Sequence, residues 1–145
     1  MKAPLPNAYQ RTQILTANPA ELRLLLFDGA IRFAEQARAG LAGKDYEACF
    51  TGATRCQDIL LELMNGLRPE HDPELCKKLS ALYTFMYMQM VRATTHRDAA
   101  LIDEVLKLLN FERETWSMLL DQLAQENKAA SKLEDAPIAA LSLKA

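Results

Sequence analysis

The sequence predicts an all-α protein: an antiparallel up-down four-helix bundle with an N-terminal arm and a flexible C-terminal tail. Only five Gly and six Pro occur in 145 residues, few for a β protein with many tight turns. Four helix-start signals are spread along the chain, and the apolar residues between them recur at the spacing of amphipathic helices. Short connections between helices of this length make neighbouring helices antiparallel, which gives an up-down bundle.

The first helix has the clearest start signal. Asn18 can act as its N-cap, Pro19 suits the first helical position, and Glu21 lies where a capping box places its carboxylate. The apolar spacing then continues to about Leu41. We expect the helix to end there, at Ala42-Gly43.

The next two helices are bounded by similar signals. Asp45 is expected to cap the second helix, which runs to Asn65-Gly66, where the glycine is expected to supply a left-handed ending. Asp72 is expected to cap the third helix, with Pro73 as its first residue. The loops between these helices are short, as a bundle requires.

The fourth helix is expected to follow Asp98 and to continue to about Lys128. These bounds divide the chain into an arm over 1–17, a bundle over 18–128 and a tail over 129–145. The arm contains two prolines that discourage regular structure, and the tail is rich in small and polar residues.

Apolar stripes on the second and third helices predict the core. On the third helix one narrow stripe is formed by Leu75, Leu79, Leu82, Met86, Met90 and Ala93. On the second helix Cys49 and Cys56 fall on the inward stripe, so we interpret them as small core residues. With Cys76 the chain has three cysteines without paired spacing, which argues against a secreted disulfide framework.

The predicted helices carry more apolar surface than a four-helix bundle buries. The first helix has an apolar arc of roughly 200°, against a stripe of little more than 100° in an ordinary bundle helix. Methionine and aromatic residues also cluster on the third helix, a composition that suits adaptable binding surfaces. The candidate partner-binding residues are Tyr9, Ile14, Tyr83, Tyr87, Met88, Val91, Phe111 and Met118.

Charge and hydropathy exclude several classes of protein. Seventeen basic against nineteen acidic residues give a net charge of −2, which argues against a dedicated nucleic-acid binder. No stretch approaches the roughly 20 apolar residues of a transmembrane helix, so membrane insertion is not expected. The polar N-terminus lacks the apolar region of a signal peptide. We therefore expect a cytoplasmic protein.

A search for catalytic and metal-binding patterns gives no candidate. Neither His71 nor His96 is part of the Glu-x-x-His pattern of di-iron bundles, and no Cys/His spacing suits zinc. Glycine-rich phosphate-binding loops are also absent from the sequence. We expect no catalytic residue, no cofactor and no metal, and we predict that the protein is not an enzyme.

Several segments, in order and at matching spacing, resemble the flagellin export chaperone family FliS. The arm and first cap, Asn7 to Leu22, resemble its opening Ala-Tyr-Gln arm and Thr-Ala-Asn-Pro-x-Glu-Leu cap. The Leu26-Phe27-Asp28-Gly29 block resembles its first helix. Further similarity lies in Ala53 to Leu63, in Leu82-Tyr83-x-x-Met86 and in Arg113-x-Thr115-Trp116. The resemblance covers about Asn7 to Leu120.

This resemblance implies a four-helix bundle chaperone that binds the disordered C-terminal segment of flagellin in the cytoplasm. Such binding prevents premature polymerisation, and the complex is presented to the flagellar type III export gate through its FlhA component. The resemblance also implies that the N-terminal arm, which contains Tyr9 and Ile14, can lie over part of the binding groove.

Two alternatives belong to other classes. A self-associating structural bundle could bury its surplus apolar surface in a homodimer without acting as a chaperone. A small helical enzyme or metal protein is the third hypothesis. Light scattering tests the second and metal analysis the third.

Overall fold

The computed structural model describes residues 8–9 and 18–144, with side chains as far as residue 134. Between residues 18 and 144 it contains helices and no strand. In chain order they are α1 (Pro19–Ala42), α2 (Tyr46–Asn65), α3 (Pro73–His96) and α4 (Ala99–Lys144). Their packing is that of a helical bundle, so the predicted fold class is confirmed.

Side-chain caps fix the start of every helix. At α1 the Asn18 side chain accepts a hydrogen bond from the Glu21 backbone N–H at 2.8 Å, and the Glu21 carboxylate accepts one from the Asn18 N–H at 3.4 Å. This is the predicted capping box. The caps of the other helices accept backbone N–H bonds at 3.0–3.1 Å and are the predicted Asp45, Asp72 and Asp98.

The left-handed turn residues are not where the sequence predicts them. Gly66 has φ −82°, which is a right-handed backbone conformation, and its N–H still donates a helical hydrogen bond to the Glu62 carbonyl at 3.0 Å. The predicted left-handed ending at Gly66 is therefore wrong. Positive φ angles occur instead at Lys44, 56°, and at Arg97, 52°, where α3 ends.

Contacts between helices give the antiparallel order. Asp28 pairs with Arg113, and Arg38 with Asp103 at 2.8 Å, so α1 and α4 run in opposite directions. A hydrogen bond from the Gln57 side chain to the Tyr87 carbonyl connects α2 to α3. Another, from the Gln89 side chain to the Glu104 carboxylate, connects α3 to α4.

Helices α1 and α2 approach each other closely through small residues. A Cβ atom on Gly52 would lie 2.6 Å from the Phe33 carbonyl oxygen and 2.7 Å from the Ala37 nitrogen. A Cβ atom on Gly40 would lie 2.6 Å from the Cys49 nitrogen. Because real Cβ contacts are not this short, the helix spacing requires glycine at both positions.

The core lies between the four helices and includes side chains from each. Its largest fully buried members are Phe27, Leu60, Leu63, Tyr83, Met86, Met90, Ile102, Val105 and Leu109. Cys49 and Cys56 are buried, as predicted. Leu75 was expected in the core stripe but is exposed, because it lies in the first turn of α3, where its N–H bonds to the Asp72 cap.

Helix α4 continues to Lys144 rather than to about Lys128. Six of the seventeen residues after Lys128 are Ala and three are Leu, and both are good helix formers. The chain divides into two compact units, of which the first ends at Arg113 and the second begins at Glu114. Across the described helices, no stretch combines the length and hydropathy that a transmembrane span requires.

Candidate partner-binding site

A groove of about 590 Å³ runs along the outer face of α3. We call it the α3 groove, and its lining residues are Lys77, Ser80, Ala81, Thr84, Phe85, Met88, Gln89 and Arg92. These residues recur about once per helical turn, with the adjacent pairs 80/81, 84/85 and 88/89 between Lys77 and Arg92, opposite the core stripe. Phe85 is 42% exposed and Met88 45%, so both offer apolar surface to a partner.

One end of the α3 groove is shaped by a buried amide. Gln89 is a buried polar residue, and its Nε2 donates to a carboxylate oxygen of Glu104 at 2.9 Å. Its Oε1 accepts a hydrogen bond from Arg92 Nη1 at 3.4 Å. The amide therefore stands between the guanidinium and the carboxylate and holds Arg92 at the rim of the groove.

A smaller pocket adjoins the α3 groove where α2 turns into α3. Its volume is about 320 Å³, and it shares Lys77 and Ser80 with the groove. Its other lining residues are Met64, Leu67, Pro69, Pro73 and Cys76. The two cavities therefore adjoin at the start of α3.

Three of the predicted binding residues lie together on α3. Met88 lines the groove, whereas Tyr87 and Val91 are half-buried. The Tyr87 carbonyl accepts the hydrogen bond from Gln57, so Tyr87 lies towards α2. Met88 is thus the one of the three that lines the groove, and a role of all three in partner binding stays a prediction.

Tyr83 is not a surface residue, and its predicted place outside the core is wrong. Only 1% of its surface is exposed. Its hydroxyl accepts a hydrogen bond from Arg23 Nη2 at 2.8 Å, and its ring centroid lies 6.4 Å from that of Phe27. The polar end of the tyrosine is therefore satisfied inside the bundle, which allows the ring to be buried.

Arg23 connects this buried tyrosine to neighbouring helices. Its Nη1 donates to the Leu63 carbonyl of α2 at 3.3 Å, and the guanidinium lies 5.7 Å from the Tyr83 ring centroid. Burial raises the pKa of Tyr83, and the positive charge of Arg23 opposes this rise. Burial also raises the pKa of Glu112, again opposed by Arg23. One cation thus interacts with groups from three other helices.

The remaining predicted binding residues do not join the α3 groove lining. Phe111 and Met118 are 66% and 65% exposed, but they belong to different compact units. Tyr9 is also exposed. Ile14 lies outside the described residues. For these four residues a role in partner binding stays a prediction.

Exposed aromatic residues that the sequence analysis missed include Tyr46, Phe50 and Phe85. Phe85 lines the groove three positions before Met88, and this i, i+3 spacing places both on one helix face. The same spacing rule could have found it. Phe50, on α2, is also strongly exposed and follows the core residue Cys49 directly.

The cysteines and acidic groups offer little chemistry. Burial raises the pKa of Cys56 to about 12, so its thiol is neutral and a poor nucleophile near pH 7. Within the described part of the chain, no group of three or more His, Cys, Asp or Glu residues is placed to hold a metal ion. The exposed apolar side chains of the α3 groove are suited to contact with an apolar partner.

Comparison with known proteins identifies the family. The family model described as flagellar protein FliS matches residues 1–130. The chain belongs to the FliS family. Two segments that carried the resemblance in the sequence meet in space, because Asp28 of the Leu-Phe-Asp-Gly block pairs with Arg113 of the α4 motif.

Curated relatives carry the name flagellar secretion chaperone FliS. The protein from Bacillus subtilis is 29% identical over 113 residues, which cover 78% of this chain and 84% of the relative. That from Salmonella typhimurium is 32% identical over 107 residues, covering 73% and 79%. The chain is therefore a member of a flagellar secretion chaperone family.

Proposed function

We propose that this protein is a cytoplasmic export chaperone for flagellin. It binds the disordered C-terminal segment of flagellin, prevents premature polymerisation, and hands the subunit to the flagellar type III export apparatus through FlhA. The observation that carries the proposal is the open α3 groove, with exposed Phe85 and Met88, in a member of the flagellar secretion chaperone family.

The groove suits an amphipathic helix of the client. Its lining residues recur about once per helical turn, so a helix with apolar residues at i, i+3, i+4 and i+7 can place them along it. Ordering a disordered segment costs about 2–5 kcal/mol. At about 25 cal/mol per Å², burial of roughly 200 Å² of apolar surface offsets the larger of these costs.

Binding of this kind needs no nucleotide and no covalent step. Its strength depends on the apolar area that the client buries, and release follows when another surface competes for the client segment. The N-terminal arm, with Tyr9 and Ile14, is a second proposed component of the binding surface. An arm that covers the groove in some molecules lowers the apparent affinity by the fraction that is covered.

The test is calorimetry with monomeric flagellin from the same bacterium. We expect intact flagellin to bind and flagellin without its C-terminal segment to give no measurable heat of binding. Equal affinity for both proteins would contradict the proposed mode of binding. Light scattering of the free chain serves as a control, since a stable homodimer that excludes flagellin would support the alternative of a structural bundle.

A further inference from the structure

The outer face of α3 has an unusual distribution of charge. From residue 75 to residue 96 the helix contains no Asp or Glu, and its acidic residue Glu74 lies in the first turn. The same stretch contains Lys77, Lys78 and Arg92. This helix is therefore basic, although the whole chain has a net charge of −2.

Two of these cations border the α3 groove. Lys77 and Arg92 are fifteen positions apart, which corresponds to about 22 Å along a helix that rises 1.5 Å per residue. Ala81, Phe85 and Met88 lie between them. The groove thus has an apolar centre with a positive charge near each end.

Neither cation forms an ion pair with a described residue. The ion pairs of Arg38 with Asp103 and of Arg113 with Asp28 do not include Lys77 or Arg92. The carboxylate beside the groove, Glu104, already accepts a hydrogen bond from Gln89, whose oxygen in turn accepts one from Arg92. The amide therefore orients the guanidinium without cancelling its charge.

We propose that the α3 groove selects client helices by charge. The bound segment carries a carboxylate at each end of an apolar stripe, and these two groups pair with Lys77 and Arg92. This inference rests on the proposed chaperone function and adds the chemistry of the client. A segment of about four helical turns spans the two cations, so the required carboxylates lie 14–18 residues apart.

Charges at the ends of an apolar groove act mainly on association. They raise the rate of encounter with an oppositely charged segment and make that rate sensitive to salt. They also disfavour clients with basic flanks, since like charges repel at close range. The apolar centre provides affinity, and the two cations determine which amphipathic helix is accepted and where along the groove it lies.

The test uses the full chain and the C-terminal segment of flagellin from the same bacterium. In the variant K77E/R92E we expect the association rate constant to fall about tenfold, and its dependence on salt concentration to weaken or reverse. The control R55E/R68E changes the net charge equally at exposed positions outside the groove. We expect it to bind within about twofold of the unaltered chain. Circular dichroism verifies that each variant is helical.

A charge exchange completes the experiment. Replacement of the two flanking client carboxylates by lysine should weaken binding to the unaltered chain and restore it for K77E/R92E. Equal association rates for K77E/R92E and the control would overturn the charge selection while leaving the chaperone function intact. Failure of the unaltered chain to bind flagellin would overturn both. Self-association that is lost in K77E/R92E would overturn the client assignment and indicate a second copy.

Discussion

The guanidinium of Arg23 determines the environment of an aromatic residue sixty positions away. By donating to the Tyr83 hydroxyl at 2.8 Å it satisfies the polar atom that burial would otherwise leave without a partner. The ring can then pack near Phe27 in the core. Burial raises the pKa of Tyr83, so its contribution to stability is present near pH 7 and is lost as the pH rises above the ordinary tyrosine value of 10.0.

Neighbouring residues of α3 also differ in how deeply they are buried. Tyr87 and Met88 are adjacent in sequence, but Met88 lines the groove and Tyr87 lies half-buried towards α2. Met86, two positions earlier, is fully buried. A stretch of three residues therefore passes from the core to the groove, because successive helix positions are rotated by about 100°.

We predict that the variant Y87A/M88A binds flagellin at least tenfold more weakly than the unaltered chain. The physical reason is the loss of apolar contact area at the groove and its edge, at about 25 cal/mol per Å². Calorimetry measures the affinity and circular dichroism the helical content, which should not change. The variant L75A is the control, since Leu75 is exposed on the same helix but is not part of the groove lining. Unaltered affinity in Y87A/M88A would remove both residues from the site.

Pairs of helices differ in how they are held together. Helices α1 and α4 are joined by ion pairs between partly exposed side chains, Asp28 with Arg113 and Arg38 with Asp103. Such pairs typically contribute about 0.2–1 kcal/mol each. Helices α1 and α2 are held instead by the close contact at Gly40 and Gly52. The α1–α2 pair is therefore the part of the bundle most sensitive to an added methyl group.

We predict that Gly52→Ala lowers the free energy of unfolding by about 1–3 kcal/mol, as overpacking does in well-packed cores. Alanine is the better helix former by roughly 1 kcal/mol, so propensity alone predicts the opposite sign. The new Cβ would lie 2.6 Å from the Phe33 carbonyl oxygen, a backbone atom that cannot move aside without shifting the helix.

The matched control is Gly43→Ala. Its Cβ would lie 3.5 Å from the Ala39 carbonyl oxygen, an ordinary contact, and its φ of −88° suits alanine. Urea denaturation should show this variant to be as stable as the unaltered chain or slightly more stable. A Gly52→Ala variant that is equally stable would show that the contact between the two backbones is looser than in the structure.

At the scale of the whole molecule, the core occupies a limited part of the chain. Among the residues whose side chains the structure describes, the buried apolar ones extend from Phe27 to Leu109, although α4 continues to Lys144. The division into arm, bundle and tail was inferred from helix-start signals and composition, and it stays a prediction. From it we expect that neither end of the chain is needed for the stability of the bundle.

We predict that a chain shortened to residues 18–128 unfolds at the same urea concentration as the full chain, within experimental error. It retains all sixteen apolar residues that are buried in the described part of the chain, so we expect the surface exposed on unfolding of the core to be unchanged. Circular dichroism during urea titration measures the midpoint. A chain that ends after Asp98 is the control and should not fold, since it lacks Ile102, Val105 and Leu109. A large fall in the midpoint for 18–128 would assign a structural role to one of the ends.

The sequence predicted those features that depend on neighbours along the chain. The caps Asn18, Asp45 and Asp72 could be identified because each bonds to a backbone N–H only three residues away. The burial of Met86 and Met90 followed from the 3.6-residue period of a helix. The same local rules placed Met88 on the outer face of α3, where it lines the groove.

Other features depend on residues that are distant in sequence, and only the tertiary structure decided them. Tyr83 lies in the core because Arg23 and Phe27 reach it from another helix. The need for glycine at position 52 arises from the backbone of α1. Periodicity along one helix shows which residues share a face, whereas the position of the neighbouring helices determines which of those faces are covered.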